Sequence, residues 1–133
     1  MYISKEMLIT EPIIHYDRGS LKSSLNSYDL PGLINNIKQE RTWEEGEMKA
    51  VILQKSPARK ILLTVLHKGT QIISYQADDS ITFQVIEGKL DLHFRNESFI
   101  LKKGEILIIN EKLKYKIDSV EDSAFLMILA SGN

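Results

Sequence analysis

The sequence predicts an all-β sandwich or barrel, preceded by an irregular lead that holds one helix. Three observations carry this. From about residue 47 the chain divides into short runs rich in Ile, Leu, Val, Phe and Tyr. These runs begin about every 7–12 residues with turn residues between them, which is the spacing of strands in sandwiches and barrels. No segment of helical period interrupts them.

The elements follow in order. Residues 1 to about 45 are irregular, with Pro12, Gly19, Pro31, Gly32 and a serine-rich stretch from Ser20 to Ser27. One helix is expected there, at about 30–40. Asp29 can cap it, Pro31 suits its first turn, and Leu30, Leu33, Ile34 and Ile37 share one face. The acidic turn Glu44-Glu45-Gly46-Glu47 leads into the first expected strand, Met48–Gln54. Ser56-Pro57 closes that strand, and Lys60–His67 runs to Lys68-Gly69. Gln71–Gln76 ends at Asp78-Asp79, and Ile81–Ile86 ends at Glu87-Gly88. Lys89–Phe94 alternates, with Leu90, Leu92 and Phe94 on one face and Asp91, His93 and Arg95 on the other. Ser98–Leu101, Ile106–Asn110, Tyr115–Ser119 and Ala124–Leu129 complete the set. Arg95-Asn96, Lys103-Gly104 and Glu121-Asp122 serve as turns. This gives two parts: a lead over 1–45 that packs on the barrel or on a partner subunit, and a barrel over 46–133.

Composition narrows the function. The 133 residues carry 17 Lys and Arg against 18 Asp and Glu, three His and no Cys. There is no disulfide framework, thiolate zinc site, iron–sulfur ligation or cysteine nucleophile. Charge is near balance, so nothing draws the chain to nucleic acid or anionic lipid. The first dozen residues contain Lys5, Glu6 and Glu11 and so lack a signal-peptide core, and the longest apolar runs are far below the ~20 residues of a membrane span. A cytoplasmic protein is the expectation. Among the seven glycines there is no phosphate-binding loop, dinucleotide fingerprint or nucleophile elbow.

The segment Ile81-Thr82-Phe83-Gln84-Val85-Ile86-Glu87-Gly88-Lys89-Leu90 resembles the middle of the first cupin motif. Leu101-Lys102-Lys103-Gly104-Glu105-Ile106-Leu107-Ile108-Ile109-Asn110 resembles the start of the second. The likeness covers about residues 46–130, extending loosely to Trp43…Gly46 and to Asp122-Ser123-Ala124-Phe125-Leu126. It implies a small single-domain cupin of the cupin-2 kind. Such a fold is a jelly-roll β-barrel (a double-stranded β-helix) whose interior forms the binding site. Metal-binding cupins place two His and a Glu before the first motif glycine and a further His after the second. Counted from Gly88 and Gly104, those positions fall on Tyr75, Ala77, Ile81 and Tyr115. A one-residue shift of the first pair would place Ser74 and Gln76 there instead. Transition metals need imidazole or carboxylate donors converging on one ion, and none of these residues supplies one. The reading therefore expects no metal at the usual cupin position and no cofactor.

The same register turns Tyr75, Ala77, Ile81, Phe83 and Tyr115 toward the barrel interior as the expected ligand-binding residues. A competing reading has these side chains simply fill a small barrel. His67 is either a base at the pocket mouth or a rim residue, His93 faces solvent or an interface, and His15 lies in the lead. Asp78-Asp79 reads as a solvated turn, and Trp43 as an anchor for the lead. Three functions compete. The first is a metal-free module that binds a small organic ligand without catalysis. The second is a metal-independent isomerase or epimerase using Tyr75 or Tyr115 with His67 or Glu87. The third is a structural domain. A homodimer is expected, because the lead is too apolar to hang free and sandwich edges need cover.

Overall fold

The computed structural model describes residues 4–6, 13–15, 25–46 and 48–132. Two short strands stand first, β1 (Ser4–Glu6) and β2 (Ile13–His15). Two helices follow, α1 (Leu30–Lys38) and α2 (Arg41–Glu44). The barrel strands are β3 (Lys49–Lys55), β4 (Arg59–Leu66), β5 (Gln71–Gln76), β6 (Ser80–Glu87), β7 (Lys89–Phe94), β8 (Glu97–Lys102), β9 (Ile106–Ile109), β10 (Leu113–Ser119) and β11 (Ser123–Ala130). Every strand expected from the sequence is present, with ends shifted by a few residues. β1, β2 and α2 were not expected. The rest of the lead's expected packing, including the serine-rich stretch up to residue 24, lies outside the described residues.

The strands form two facing sheets. One has five strands in the order β1-β5-β10-β7-β8, the other six in the order β2-β3-β4-β11-β6-β9. Neighbours are antiparallel except at two edges, where β1 runs parallel to β5 and β2 parallel to β3. From β4 to β11 the chain crosses from one sheet to the other at every step except the β7–β8 hairpin, as in a jelly roll.

The core lies between the sheets. Leu62, Leu66, Ile72, Phe83, Leu90, Leu92, Ile117 and Phe125 are among its buried side chains. The six-stranded sheet is also covered on its outer face. Helix α1 lays Leu33, Ile34 and Ile37 there, and they pack with Trp43, Val51, Leu53, Leu63 and Val65. That explains why β3 and β4 carry nearly continuous apolar runs rather than alternation. The helix begins as its sequence suggests: Asp29 accepts a hydrogen bond from the Gly32 amide at 3.2 Å, with Pro31 in the first turn. It ends two residues before the expected boundary, and a separate turn of helix, α2, carries the chain to β3. The five-stranded sheet instead presents an alternating, polar outer face, and this asymmetry positions the site described next. No helix among the described residues is long and apolar enough to cross a membrane.

Candidate functional site

Alternation along β5 turns Ile72, Ser74 and Gln76 inward. Tyr75, expected inside, is 60% exposed on the outer face, and Ala77 is exposed in the loop after the strand. This corrects the orientation expected for both. The physical reason is register: a shift of one residue moves a whole set of side chains to the opposite face. The inward set is secured locally. The Gln76 amide donates to the Asp78 carbonyl at 2.6 Å and accepts from the Asp78 amide at 3.1 Å, which fixes it in the turn.

Ile81, Phe83 and Tyr115 do face the interior. Ile81 and Phe83 are 0% exposed, and Tyr115 is 2%. The Phe83 ring meets Tyr115 edge-on at 5.5 Å and Phe125 at 6.0 Å. Side chains with no surface open to a water-sized sphere leave no room for a ligand beside them. The centre of the barrel is therefore packed solid, and the polar groups turned toward it include the Thr64, Ser74 and Tyr115 hydroxyls and the Gln76 amide.

Tyr115 lies directly across from Ser74 on the paired strand, and their hydroxyls hydrogen-bond. Burial pushes the Tyr115 phenol up from 10.0 to about 12. The Ser74 hydrogen bond opposes that rise, and the nearby Asp78 carboxylate adds to it. A folded-state value above the unfolded one favours the neutral phenol in the fold. Its contribution is complete below pH 10 and is lost as pH rises toward 12. At about 1.4 kcal/mol per unit, Tyr115 should remove roughly 2–3 kcal/mol of stability across that interval. Urea unfolding at several alkaline pH values should show the fall in the native chain and a shallower one in Tyr115→Phe. Parallel pH profiles would contradict it.

The other acid–base candidates are already engaged. The His67 ring stacks on Trp43 at 3.5 Å and its Nε2 lies 2.7 Å from the Trp43 carbonyl, so both anchor the helical segment to the barrel. Glu87 forms an ion pair with Lys38 of α1. The His15 side chain lies outside the described residues.

A groove that the sequence did not disclose opens in the five-stranded sheet where the pairing of β7 with β10 stops at His93 and Lys116. The groove, of about 340 Å³, is lined by Ile73, His93, Phe94, Arg95, Lys114, Tyr115 and Lys116. Ile73 supplies apolar surface from the outer face, and Phe94, which packs against the core and stacks on Phe99 at 5.3 Å, supplies it from the inner side. Arg95, in the β7–β8 turn with φ of 56°, forms an ion pair with Glu111. Lys116 Nζ lies 3.9 Å from Asp118 Oδ2. Exposed Tyr75 is the cross-strand partner of Lys114, so one residue expected in the barrel stands at this groove's side. Beside it His93 Nε2 approaches Asp118 Oδ2 at 2.9 Å and Asp91 Oδ2 at 3.3 Å.

No protein-family model matches the sequence, and no curated protein does. Solved structures do match. A cupin superfamily protein from Desulfitobacterium hafniense aligns with a TM-score of 0.60 at 15% identity, covering 65% of this chain and 79% of that one. A conserved protein of unknown function from Streptococcus pyogenes aligns with a TM-score of 0.60 at 12% identity, covering 97% and 89%. A salicylate 1,2-dioxygenase from Pseudoaminobacter salicylatoxidans aligns with a TM-score of 0.66 at 16% identity, covering 83% of this chain but 37% of the enzyme. At such identities the likeness concerns the fold, and with the two facing sheets it shows the chain to be a cupin-type jelly-roll barrel.

Proposed function

We propose that this chain is a binding module without catalysis, and that it holds a small organic anion in the groove where β7 and β10 part rather than in the packed centre of the barrel. The observation that carries this is the groove's lining: apolar Ile73 and Phe94 lie beside Arg95, Lys114, Lys116 and His93. Its volume is at the small end of ligand sites, which run from about 300 to 1,000 Å³. Arg95, Lys114 and Lys116 beside apolar surface complement a carboxylate or phosphate on an aliphatic or aromatic body. Exposed Tyr75, next to Lys114, adds an amphipathic ring at the side. The solid barrel centre supports placing the ligand outside it, and the engagement of His67 and Glu87 supports the absence of turnover.

Calorimetric titration with benzoate, phenyl phosphate and neutral benzamide tests the reading. The two anions should bind and benzamide should not. Lys114→Glu, at an exposed position, should weaken anion binding by about tenfold or more, the loss of a charge-assisted contact. Equal binding of benzamide, or affinity unchanged in Lys114→Glu, would sink it.

A further inference from the structure

We propose that Asp91, His93 and Asp118 form a binding site for a divalent transition-metal ion, on the outside of the barrel. Strand periodicity brings the three side chains to one face. Asp91 and His93 are two apart on β7 and so share its outer face, and Asp118 of β10 is the direct cross-strand partner of Asp91. Two carboxylates placed opposite one another on a sheet repel. Here they do not diverge. Asp118 Oδ2 and Asp91 Oδ2 both close on the same atom, His93 Nε2, at 2.9 and 3.3 Å. A single N–H has one proton and one good direction, so it serves one of these oxygens well and the other poorly. The three ligand atoms all lie within 4.8 Å of one another.

Those separations suit a metal. Zinc bonds to nitrogen and carboxylate oxygen are about 2.0–2.2 Å, which places two ligands of one ion roughly 2.9–3.6 Å apart at octahedral to tetrahedral angles. A small rotation of each side chain would bring all three around a common centre. One carboxylate is already held for this. Ser98, the cross-strand neighbour of His93 on β8, donates its hydroxyl to Asp91 Oδ1 at 2.5 Å and leaves Oδ2 toward the cluster. Outer hydrogen bonds of this kind orient metal ligands.

A second, independent observation concerns Asp118 and its neighbour on the other side. Asp118 Oδ1 is buried with no hydrogen-bond partner, and so is Oε1 of Gln71, the direct partner of Asp118 on β5. Buried acceptors without donors are rare and costly. Two of them side by side, in a row that already holds two carboxylates and has the Lys116 ammonium no nearer to Asp118 Oδ2 than 3.9 Å, mark a place that a bound cation would satisfy. One imidazole with two carboxylates and no thiolate suits zinc, manganese, cobalt or nickel. All three ligands are half-buried, which leaves coordination positions open to water.

The inference stands apart from the groove reading, although His93 belongs to both. Its test uses metal alone. Chelator-treated protein titrated calorimetrically with zinc chloride should take up one equivalent with micromolar or tighter affinity. The His93 imidazole resonances should shift in the same titration. His93→Gln and Asp118→Asn should each weaken binding by about 10–100-fold, the usual loss on altering a metal site. Glu97→Gln, which alters another surface carboxylate on β8, should leave the affinity unchanged. Circular dichroism would verify that each variant is folded, with Asp91→Asn as the replacement if one is not. Absence of zinc binding below millimolar concentration would overturn the proposal. So would zinc binding that persists in folded His93→Gln and Asp118→Asn, since exposed carboxylates would then be its source.

Discussion

Phe83→Ala should lower the folding free energy by about 3–5 kcal/mol, the cost of removing a phenyl ring from a filled core. Phe83 is 0% exposed, sits on β6 between β11 and β9, and touches the rings of Tyr115 and Phe125 from opposite sheets. Neither neighbour can close the space without leaving its own packing, because Tyr115 is tied to Ser74 and Phe125 is held between β4 and β6. The melting temperature should drop by about 10–20 °C for a domain of this size. The variant also tests the claim that the barrel centre is solid. The vacated space would be apolar and dry, so it should accept benzene, which stabilises by mass action. The native chain should gain nothing from the same additive. A loss below about 1 kcal/mol, or stabilisation of the native chain by benzene, would show that Phe83 already borders open space. Binding within the barrel would then return as the better account.

The strands were legible because they obey local rules. Leu90, Leu92 and Phe94 alternate with Asp91 and His93, and Gly88 and Gly104 mark turns at the expected places. The two strands of the lead were not legible: three residues each, they exist through pairing with β5 and β3 rather than through a pattern of their own. The candidate interior was legible in part, and its error has one source. Counting back from Gly88 set Tyr75 and Ala77 inward, whereas the loop closed by Gln76 and Asp78 sets Ser74 and Gln76 inward. An aromatic on the solvent side of β5 looked like a core residue because apolar character alone does not say which face is buried. The outer site was invisible for a different reason. His93 and Asp118 are 25 residues apart, and nothing in either segment states that β10 lies between β5 and β7. Only non-local strand order brings the two Asp and the His together, and the same order assembles Ile73, Phe94 and Lys114 into a groove.

Gly88→Ala should cost about 2–5 kcal/mol, the sum of a left-handed backbone strain of about 1–2 and an overpacking cost of about 1–3. The residue has φ of +88° in the turn between β6 and β7, a conformation that L side chains rarely adopt. A Cβ there would lie 2.3 Å from Ser123 Oγ, 2.4 Å from the Asp122 carbonyl oxygen and 2.7 Å from Ser123 Cα. Two of those three atoms are backbone and cannot rotate away. Ser123 is also constrained: it is 0% exposed, its Oγ accepts from the Lys89 amide at 3.0 Å, and it lies 2.8 Å from the Glu121 carbonyl. Gly104 supplies the control. Its φ is +85°, but no atom lies within 4 Å of an added Cβ, so Gly104→Ala should cost only about 1–2 kcal/mol. Chemical denaturation of both variants measures the difference directly. Equal losses would mean that backbone conformation, not the close approach of the Asp122–Ser123 segment, makes glycine necessary at 88. Ser123→Ala combined with Gly88→Ala should recover little, because the backbone contacts remain. The turn matters beyond stability. It fixes where β7 begins, and Asp91 and His93 reach the face of β10 only if that start is kept. A folded Gly88 variant with a shifted turn should therefore lose affinity for zinc while keeping all three ligands in its sequence.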